Sequence, residues 1–387
     1  MDAVVLKPGR EKSVLQFHPW IFSGAVSSMP DFVDGDICAV TSHTGAHLGF
    51  GYFNRASQIV GRMLVFGQDD PLEAVRARIR KAILLRKKLL SPKTTARRLV
   101  NAEGDFLPGL IVDQYDTALV IQISTLGMDR LKSVVLDELV KLCEPSWVVE
   151  SSTSASRKQE GLKPCKETLY GTACEELVVQ EGELRFYVNP LGGQKTGFFM
   201  DLSQMRFLIG QHSVGKKVLN CCSYTGAFSC HALQGGASHV VSVDISADAI
   251  RLAERNVQLN GLESARHEAV VADVFDFVEA THFDFDLVIL DPPAFAKQKK
   301  DVPQAVKAYR RLNQRVLSKM APGSFLLTCS CSYHIDESLF KKILFQAAQS
   351  AKRDVQILQS HRLSFDHPLS LYHPEGGYLK SFFLYLY

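Results

Sequence analysis

Two cysteines near the carboxyl end of the chain have the chemistry of a nucleophile. Cys329 and Cys331 follow an apolar run, 324–328, that is typical of a β-strand. A thiolate adds to electron-poor carbon, forms a covalent adduct and leaves again by elimination. We expect Asp336 to cap the next helix, and counting back from it places Cys331 just past the strand and favours it as the nucleophile. Cys329 remains the alternative and is otherwise expected to be a buried core thiol.

Three acidic residues follow consecutive predicted strands. Asp244, Asp273 and Asp291 each come at or just after a run rich in valine, isoleucine or leucine. The carboxyl ends of parallel strands lie at one edge of a sheet, where ligands bind. We therefore expect these three acids to line one ligand-binding crevice at that edge. Asp244, after the second strand, is placed to accept hydrogen bonds from ribose hydroxyls. Helix capping is the competing interpretation for Asp244 and Asp291.

The first turn of this predicted sheet, residues 220–228, contains a single glycine, Gly226. The GxGxxG pattern that cradles a pyrophosphate needs three glycines, so a dinucleotide is disfavoured. Tyr224 and Phe228 in the same turn are candidates for contact with a smaller ligand, and packing under the loop is the alternative for both.

The elements that must position these residues alternate from Val218 onward. Helix-like stretches separate strand-like apolar runs, which cover residues 218–220, 240–244, 269–271, 287–291 and 324–328. This alternation predicts an α/β fold with a parallel, doubly wound sheet. Between a strand near Val355 and the last apolar run, 379–387, the chain has prolines and glycines but no helical stretch. The last strand is therefore expected to pair antiparallel.

A chain of 387 residues is long enough for two to three domains of about 150 residues each. Short strands and turns in the first 70 residues indicate a small β-domain. A helix then precedes a strand, strand, helix, strand pattern that favours a small α+β middle domain. The predicted domains are 1–70, 71–180 and 181–387.

The helix at the start of the predicted middle domain carries an unbalanced charge. From Arg76 to Arg98 there are ten Lys or Arg residues and no acid. Such a run favours a surface that contacts a nucleic-acid phosphate backbone, and an ordinary exposed helix is the equally weighted alternative. Arg86, Lys87 and Lys88 are its candidate nucleic-acid-binding residues.

Composition excludes several other classes of protein. Hydrophobic residues make up 46% and charged residues 22%, which is typical of a globular chain rather than a disordered one. No run of about 18 uncharged apolar residues occurs, so we expect no membrane-spanning helix. The first residues lack a secretory signal pattern. Nine cysteines without framework spacing indicate reduced thiols in a cytoplasmic protein, and without a CxxC pair we expect no metal site.

Several segments carry a resemblance to a known family over nearly the whole chain. They are residues 7–13, 18–24, 107–113, 193–201, 223–226, 291–293 and 330–332. In them the chain resembles the class I S-adenosylmethionine-dependent RNA methyltransferases, in particular the family that forms 5-methylcytosine in 23S ribosomal RNA. The resemblance implies an N-terminal PUA RNA-binding domain, a small α+β middle domain and a Rossmann-like catalytic domain.

By the same resemblance, the cofactor is S-adenosylmethionine and the partner is RNA, either 23S ribosomal RNA or a large-subunit precursor. A homodimer is left open. The residues expected around the cofactor are Tyr224 and Gly226, Asp244 at the ribose, Asp273 and Val274 near the adenine, and Asp291 near the reactive end. Lys195 and Thr196 are expected either to fold over the methionine end or only to order a loop.

The implied reaction needs a nucleophile because carbon 5 of cytosine does not take a methyl group unaided. A thiolate adds first to carbon 6, and the family's Ser-Cys-Ser pattern at 330–332 assigns this role to Cys331. The helix after it is a candidate for lowering the pKa of the thiol. The base that removes the proton from carbon 5 is left open between Asp291 and a bound water.

Two other functions compete with this interpretation. Asp291-Pro292-Pro293 followed by Phe295 resembles the motif of methyltransferases that act on exocyclic amines or ring nitrogens, although Ala294 places the aromatic ring one residue too far. That reaction leaves Cys331 without a role. A non-catalytic RNA-binding or assembly protein is the lesser alternative, and the strand-end acids argue against it.

Overall fold

The structure is a computed structural model that describes residues 3–192, 197–361 and 363–387. The chain divides into two units. The first unit comprises Met1–Val179, Val188–Met200 and Phe365–Gly376. The second unit comprises Gln180–Tyr187, Asp201–Ser364 and Gly377–Tyr387. The first unit holds the sheets of both domains predicted before residue 180, and the three-domain boundaries themselves stay a prediction.

Short strands in the first 70 residues pair into a six-stranded sheet. They are β1 (Ala3–Leu6), β2 (Trp20–Ile21), β3 (Val26–Ser28), β4 (Ile37–Thr41), β5 (His47–Phe53) and β6 (Gly61–Phe66). A short helix, α1 (Lys12–Leu15), lies between β1 and β2 in the chain. The strand order is β2-β6-β5-β4-β1-β3, and all neighbours are antiparallel except β1 and β4. Alternate side chains of these strands, such as Val4 and Val40, form a core of their own.

The predicted basic helix is α2 (Pro71–Leu89). It begins at a cap in which the Asp70 carboxylate accepts a hydrogen bond from the backbone N–H of Glu73, and a proline occupies its first turn. Its apolar side chains recur at helical spacing and pack into the core of the first unit through Val75, Ile79, Ala82 and Ile83.

A second, five-stranded sheet follows. Its strands are β7 (Ala96–Asn101), β8 (Leu110–Tyr115), β9 (Ala118–Ile123), β10 (Trp147–Ser152) and β11 (Cys165–Gly171). They are ordered β11-β10-β9-β8-β7, with only β9 and β10 parallel. Its helices are α3 (Leu126–Arg130), α4 (Lys132–Cys143) and α5 (Ser156–Gln159). A separate hairpin pairs β12 (Leu177–Glu181) with β13 (Leu184–Val188).

The second unit alternates helices and strands as predicted. Its helices are α6 (Ser203–Gln211), α7 (Ala227–Gln234), α8 (Ala247–Leu259), α9 (Val274–Ala280), α10 (Val302–Lys319) and α11 (Glu337–Ala351). Its strands are β14 (Lys217–Cys221), β15 (His239–Asp244), β16 (His267–Val271), β17 (Leu287–Leu290), β18 (Phe325–Ser330), β19 (Val355–His361) and β20 (Lys380–Leu386). Within the described ranges, no helix is both long and apolar enough to cross a lipid bilayer.

The order of these seven strands determines where a ligand can bind. They lie in the order β16-β15-β14-β17-β18-β20-β19, and the first five are parallel. β20 pairs antiparallel with both β18 and β19, which confirms the predicted direction of the last strand. The chain moves outward from β14 in one direction and then from β17 in the other. The carboxyl ends of β14 and β17 therefore form the switch point at which such sheets bind ligands.

Candidate active site

Cys331 is the first residue after β18, which ends at Ser330. Cys329 lies inside the strand and is fully buried, and this burial raises the pKa of its thiol well above the ordinary value of 9.0. A thiol in such surroundings is chemically inert. Cys331 is partly exposed. Asp336 caps α11, because its carboxylate accepts a hydrogen bond from the backbone N–H of Leu339 at 2.7 Å, and this prediction is confirmed.

Ser332 holds the loop that carries Cys331. Its Oγ accepts a hydrogen bond from the backbone N–H of Ala296 at 3.1 Å and is paired with the Tyr309 hydroxyl at 3.0 Å. Its carbonyl oxygen accepts from Nζ of Lys380 at 2.6 Å. Ser332 is fully buried, so these bonds join the loop to the segment after β17, to α10 and to β20. They restrict the position of the adjacent Cys331.

Asp291 directly follows Leu290, the last residue of β17. β17 and β18 are parallel neighbours, with Leu290 about 5 Å from Thr328, which lies two residues before the end of β18. The thiol of Cys331 donates a hydrogen bond to the carbonyl oxygen of Pro292, with 3.8 Å between sulfur and oxygen. The candidate nucleophile therefore lies beside the backbone that carries Asp291.

The turn after β14 has an unusual backbone. φ is 58° at Cys222, 44° at Tyr224 and 70° at Gly226. A left-handed conformation in a non-glycine residue costs about 1–3 kcal/mol, and such strain clusters at functional sites. A Cβ atom on Gly226 would lie 2.7 Å from Cβ of Ala253 in α8. Glycine is therefore required at position 226 both for its φ and for this close approach.

Asp244, the last residue of β15, holds this turn in place. Its Oδ2 accepts a hydrogen bond from the backbone N–H of Tyr224 at 3.0 Å, and its Oδ1 accepts from the backbone N–H of Ser246 at 2.9 Å. A carboxylate has about four acceptor positions, so these two bonds leave capacity for ligand hydroxyl groups. Asp244 is partly exposed and can meet such a ligand.

Asp273 is a helix cap. β16 ends at Val271, two residues earlier, and the Asp273 carboxylate accepts hydrogen bonds from the backbone N–H groups of Phe275 and Asp276 at the start of α9. Val274, the first residue of that helix, is buried. Next to this turn lies a cavity of about 270 Å³ lined by Phe275, Lys307, Ala308 and Arg311.

The three predicted acids come together around Cys222. Burial raises the pKa of the Cys222 thiol, and the carboxylates of Asp291, Asp244 and Asp273 raise it further. β15 and β17 are the two neighbours of β14, and β16 follows β15, so the three acids lie at the carboxyl ends of strands next to β14 or one strand further. The structure therefore brings the candidate cofactor residues to one edge of the sheet, with the β18 end and Cys331 next to Asp291.

Arg86 does not belong to a nucleic-acid-binding surface, and that part of the prediction is wrong. Its side chain is fully buried. The guanidinium donates to both carboxylate oxygens of Asp105, at 2.6 and 2.7 Å, and to the carbonyl oxygen of Asp366 at 2.7 Å. The acid that balances this cation is supplied by a later segment of the chain. Lys87 and Lys88 are exposed and remain candidates.

Other cations of the basic run also pair with acids that lie outside the run. Arg80 pairs with Glu73 and Glu138, and Arg98 pairs with the buried Asp113. Three of the ten cations in this run, Arg80, Arg86 and Arg98, therefore pair with acids in the folded first unit.

A second group of cations, which was not predicted from the sequence, lies in the second unit. They follow the Asp291 turn and continue on α10, and all are exposed: Lys297, Lys299, Lys300, Lys307, Arg310 and Arg311. The one acid among them, Asp301, accepts a hydrogen bond from the backbone N–H of Gln298. Close spacing of lysines directly after a strand-end acid is the signal that could have found this group, which we call the α10 basic surface.

Within the described residues, one cluster has the spacing of metal ligands: Glu150, Cys165 and Glu167. Nζ of Lys132 lies 2.6 Å from the Glu150 carboxylate and 3.1 Å from that of Glu167. Arg157 also lies 3.5 Å from the Glu150 carboxylate, so two cations face the two acids and the cluster is a salt-bridge network. Lys195 and Thr196, expected near the methionine end, lie outside the described residues.

Comparisons with known proteins agree with this geometry. A family model for S-adenosylmethionine-dependent methyltransferases matches residues 129–356, and a model for a PUA-like domain matches residues 4–66. The chain is 38% identical over 387 residues to ribosomal RNA large subunit methyltransferase I of Aeromonas hydrophila, which covers 98% of each chain. It is 37% identical over 385 residues to the same enzyme of Aeromonas salmonicida, covering 97% of each.

A solved structure shows the same fold. SMU.776 complexed with SAH superposes with a TM-score of 0.86 at 24% identity, covering 99% of this chain and 100% of that one. The predicted α/β methyltransferase sheet, preceded by a PUA-like β-domain, is confirmed. The chain belongs to the S-adenosylmethionine-dependent methyltransferases and, within them, to the ribosomal RNA large subunit methyltransferase I family.

Proposed function

We propose that this protein transfers a methyl group from S-adenosylmethionine to carbon 5 of a cytosine in 23S ribosomal RNA, through a covalent adduct of Cys331. The observation that carries the proposal is the position of Cys331. It is partly exposed, it directly follows a central strand, and its thiol contacts the Pro292 carbonyl beside Asp291. The names of the relatives support ribosomal RNA as the substrate.

The residues at the carboxyl end of β14 fit S-adenosylmethionine. The strained turn at Tyr224 and Gly226 leaves the backbone close to any ligand at the switch point. Asp244 retains acceptor capacity for the ribose hydroxyls, and we expect Asp273 and Val274 to border the adenine. When bound, the cofactor supplies an electrophilic methyl group on a positively charged sulfur.

Cys331 activates carbon 5 of the cytosine to attack this methyl group. Its thiolate forms a bond to carbon 6, and the electron pair of the 5,6 double bond makes carbon 5 nucleophilic. After carbon 5 has been methylated, its proton is removed, the double bond re-forms and the sulfur leaves. Asp291 is the candidate base for that proton, directly or through a water molecule. It follows the strand next to the one that carries Cys331.

Methylation of an exocyclic amine fits the geometry less well. In that mechanism an aromatic residue after the Asp-Pro-Pro motif stacks on the target base. The ring of Phe295 instead packs on Tyr309 with centroids 4.6 Å apart and belongs to the periphery of the second unit's core. A ring held there is not free to stack on a base.

RNA phosphates have two candidate binding surfaces. We propose that Lys87 and Lys88 contribute in the first unit and that the α10 basic surface contributes in the second. Both sets are exposed lysines and arginines of the kind that neutralise phosphate groups. A cytoplasmic location accords with a ribosomal RNA substrate.

One experiment tests the reaction. Wild-type protein, Cys331→Ala and Cys329→Ala are incubated with labelled S-adenosylmethionine and with 23S ribosomal RNA that lacks the modification. We expect labelled 5-methylcytidine with wild type and Cys329→Ala, and an activity at least about 10³-fold lower with Cys331→Ala, as for other nucleophile deletions. Label in a methylated purine, or full activity of Cys331→Ala, would contradict the proposal. Absence of label with every RNA would favour a non-catalytic RNA-binding protein.

A further inference from the structure

Lys380 is a buried lysine beside the candidate nucleophile. It is the first residue of β20 and pairs with Ser330, the residue before Cys331. Its Nζ donates to the carbonyl oxygen of Ser332, the residue after Cys331, at 2.6 Å. A second bond goes to the carbonyl oxygen of Tyr378 at 2.8 Å. The Lys380 residue is thereby attached to the backbone on both sides of the cysteine.

The surroundings of Lys380 are unusual for a lysine. Only 5% of the residue is exposed, and the two acceptors of its ammonium are neutral carbonyl groups. A buried charge is costly unless an opposite charge compensates it. Burial lowers the pKa of Lys380 to about 8, while the negative charges of Cys331 and Asp336 act to raise it. A negative charge on Cys331, like that on Asp336, therefore favours the protonated form of Lys380.

We propose that the ammonium of Lys380 stabilises the thiolate of Cys331, and that Lys380 is a positioning residue of this active site. The inference rests on the proposed function in that it assumes Cys331 to be the nucleophile. A cation near a cysteine favours the ionised sulfur, and the low polarity of a buried position strengthens that interaction. The same side chain also fixes the loop through its bond to the Ser332 carbonyl.

The other groups around the thiol do not supply this charge. The titratable groups that act at this corner besides Lys380 include the carboxylates of Asp291, Asp201 and Asp336, together with the uncharged side chains of Cys329 and Tyr309. Every one of them is neutral or negative, so none stabilises a thiolate. The amino end of α11 was the candidate suggested by the sequence, but the Asp336 carboxylate lies at that end and accepts a hydrogen bond from the backbone N–H of Leu339. Lys380 is the cation that the described residues place at the cysteine.

The proposal is tested by alkylation of Cys331 with iodoacetamide, measured on its peptide by mass spectrometry as a function of pH. This readout needs neither RNA nor cofactor. Lys380→Gln removes the charge and keeps an N–H donor for the Ser332 carbonyl, whereas Lys380→Arg keeps the charge. We expect the midpoint of the alkylation curve to rise by at least one pH unit in Lys380→Gln and to stay near wild type in Lys380→Arg.

At pH 7 the alkylation rate of Lys380→Gln should fall by about threefold for each unit of midpoint shift. The thiolate fraction falls tenfold per unit, but the more basic thiolate is about threefold more reactive. Lys341→Gln is the matched control, because this lysine of α11 lies over the Phe382 ring and pairs with Glu337. Its curve should match wild type.

The dependence of the alkylation rate on pH distinguishes the loss of the Lys380 charge from a distortion of the loop. A variant that only distorts the loop changes the rate reached at high pH, where every thiol is ionised, and leaves the midpoint in place. An unchanged midpoint in Lys380→Gln overturns the proposal even if methylation is abolished. Conversely, full methylation by Cys331→Ala would overturn the proposed function while leaving the alkylation result intact.

Discussion

Arg86 and Asp105 form a bidentate ion pair in the interior of the first unit, with N–O distances of 2.6 and 2.7 Å. Arg86 is fully buried and Asp105 nearly so. The same carboxylate accepts a hydrogen bond from the backbone N–H of Asn101 at 2.6 Å, and the guanidinium also donates to the carbonyl of Asp366. The pair therefore joins helix α2 to strand β7 and to the segment at residue 366.

Arg86→Ala should reduce the stability of the protein, because Arg86 is a buried structural residue and not an RNA contact. Removing one partner of a buried ion pair leaves the other charge uncompensated and costs about 3–5 kcal/mol. Urea denaturation of the variant measures this decrease in the free energy of unfolding. Lys87→Ala is the control, because an exposed lysine changes stability by no more than about 0.5 kcal/mol. Equal stability of the two variants would contradict the structural role of Arg86.

Arg86 also shows why part of the chain could not be predicted from sequence. The helix itself was predictable, since its apolar spacing and the Asp70 cap act within a few residues. The burial of one cation on that helix depends on an acid 19 residues away and on a carbonyl 280 residues away. Such pairings arise only when distant segments pack, and charge counts along the chain do not contain them.

The candidate site likewise contains residues whose positions were predictable from the sequence and one whose position was not. Asp244, Asp291 and Cys331 were predictable, because each directly ends or follows a strand and parallel strands bring these ends together. The position of Lys380 beside Cys331 was not predictable. It depends on the antiparallel pairing of β20 with β18, which lies about 50 residues earlier in the chain. Helix capping was the competing interpretation for Asp244 and Asp291, but the strand-end acid that the structure shows as a helix cap is Asp273.

Asp244→Asn should weaken cofactor binding. Asparagine offers one acceptor oxygen, whereas Asp244 now uses both oxygens to hold the backbone of Tyr224 and Ser246. Removal of a charged acceptor costs about 1.5–3 kcal/mol, which is roughly 10- to 150-fold in the dissociation constant. Calorimetric titration with S-adenosylhomocysteine measures this change in the dissociation constant. Asp248→Asn, at a highly exposed acid of α8, is the matched control, and equal affinity of both variants would remove Asp244 from the cofactor site.

Acid should destabilise the second unit through Glu181. Burial alone would raise the pKa of this carboxyl, but Arg206 and His231 lower it from 4.5 to about 2. Because the folded-state pKa is depressed, the stabilisation is complete above pH 4.5 and is lost as pH falls toward 2. The difference of about 2.5 pH units corresponds to about 3 kcal/mol.

The Glu181→Gln variant isolates this contribution from those of other carboxylates. At pH 7 it should be less stable than wild type, because Arg206 loses its charged partner at 2.6 Å. The gap between the two free energies of unfolding should narrow as pH falls from 4.5, since wild type then becomes protonated at the same site. A gap that stays constant down to about pH 3 would show that Glu181 does not titrate in this way.

The two candidate RNA surfaces make separable predictions. Reversing charge at Lys299 and Lys300 to Glu should weaken RNA binding and flatten its dependence on salt, because each lysine that neutralises a phosphate releases a counterion and glutamate does not. If both lysines bind phosphates, the slope of log affinity against log salt should fall by about 1.4 to 1.8. The same charge reversal at Lys87 and Lys88, which lie in the first unit, should lower this slope by a similar amount.

Combining the two double variants tests whether both surfaces touch one RNA. If they bind different phosphates, the two reductions in slope should add, and the slope of the quadruple variant should be smaller by about 3. Because all four side chains are exposed, the free energy of unfolding should change little, which urea denaturation checks. Filter binding of 23S ribosomal RNA across a salt series provides the slopes. A slope unchanged by Lys299→Glu and Lys300→Glu would exclude these lysines from RNA binding, whatever the result at Lys87 and Lys88.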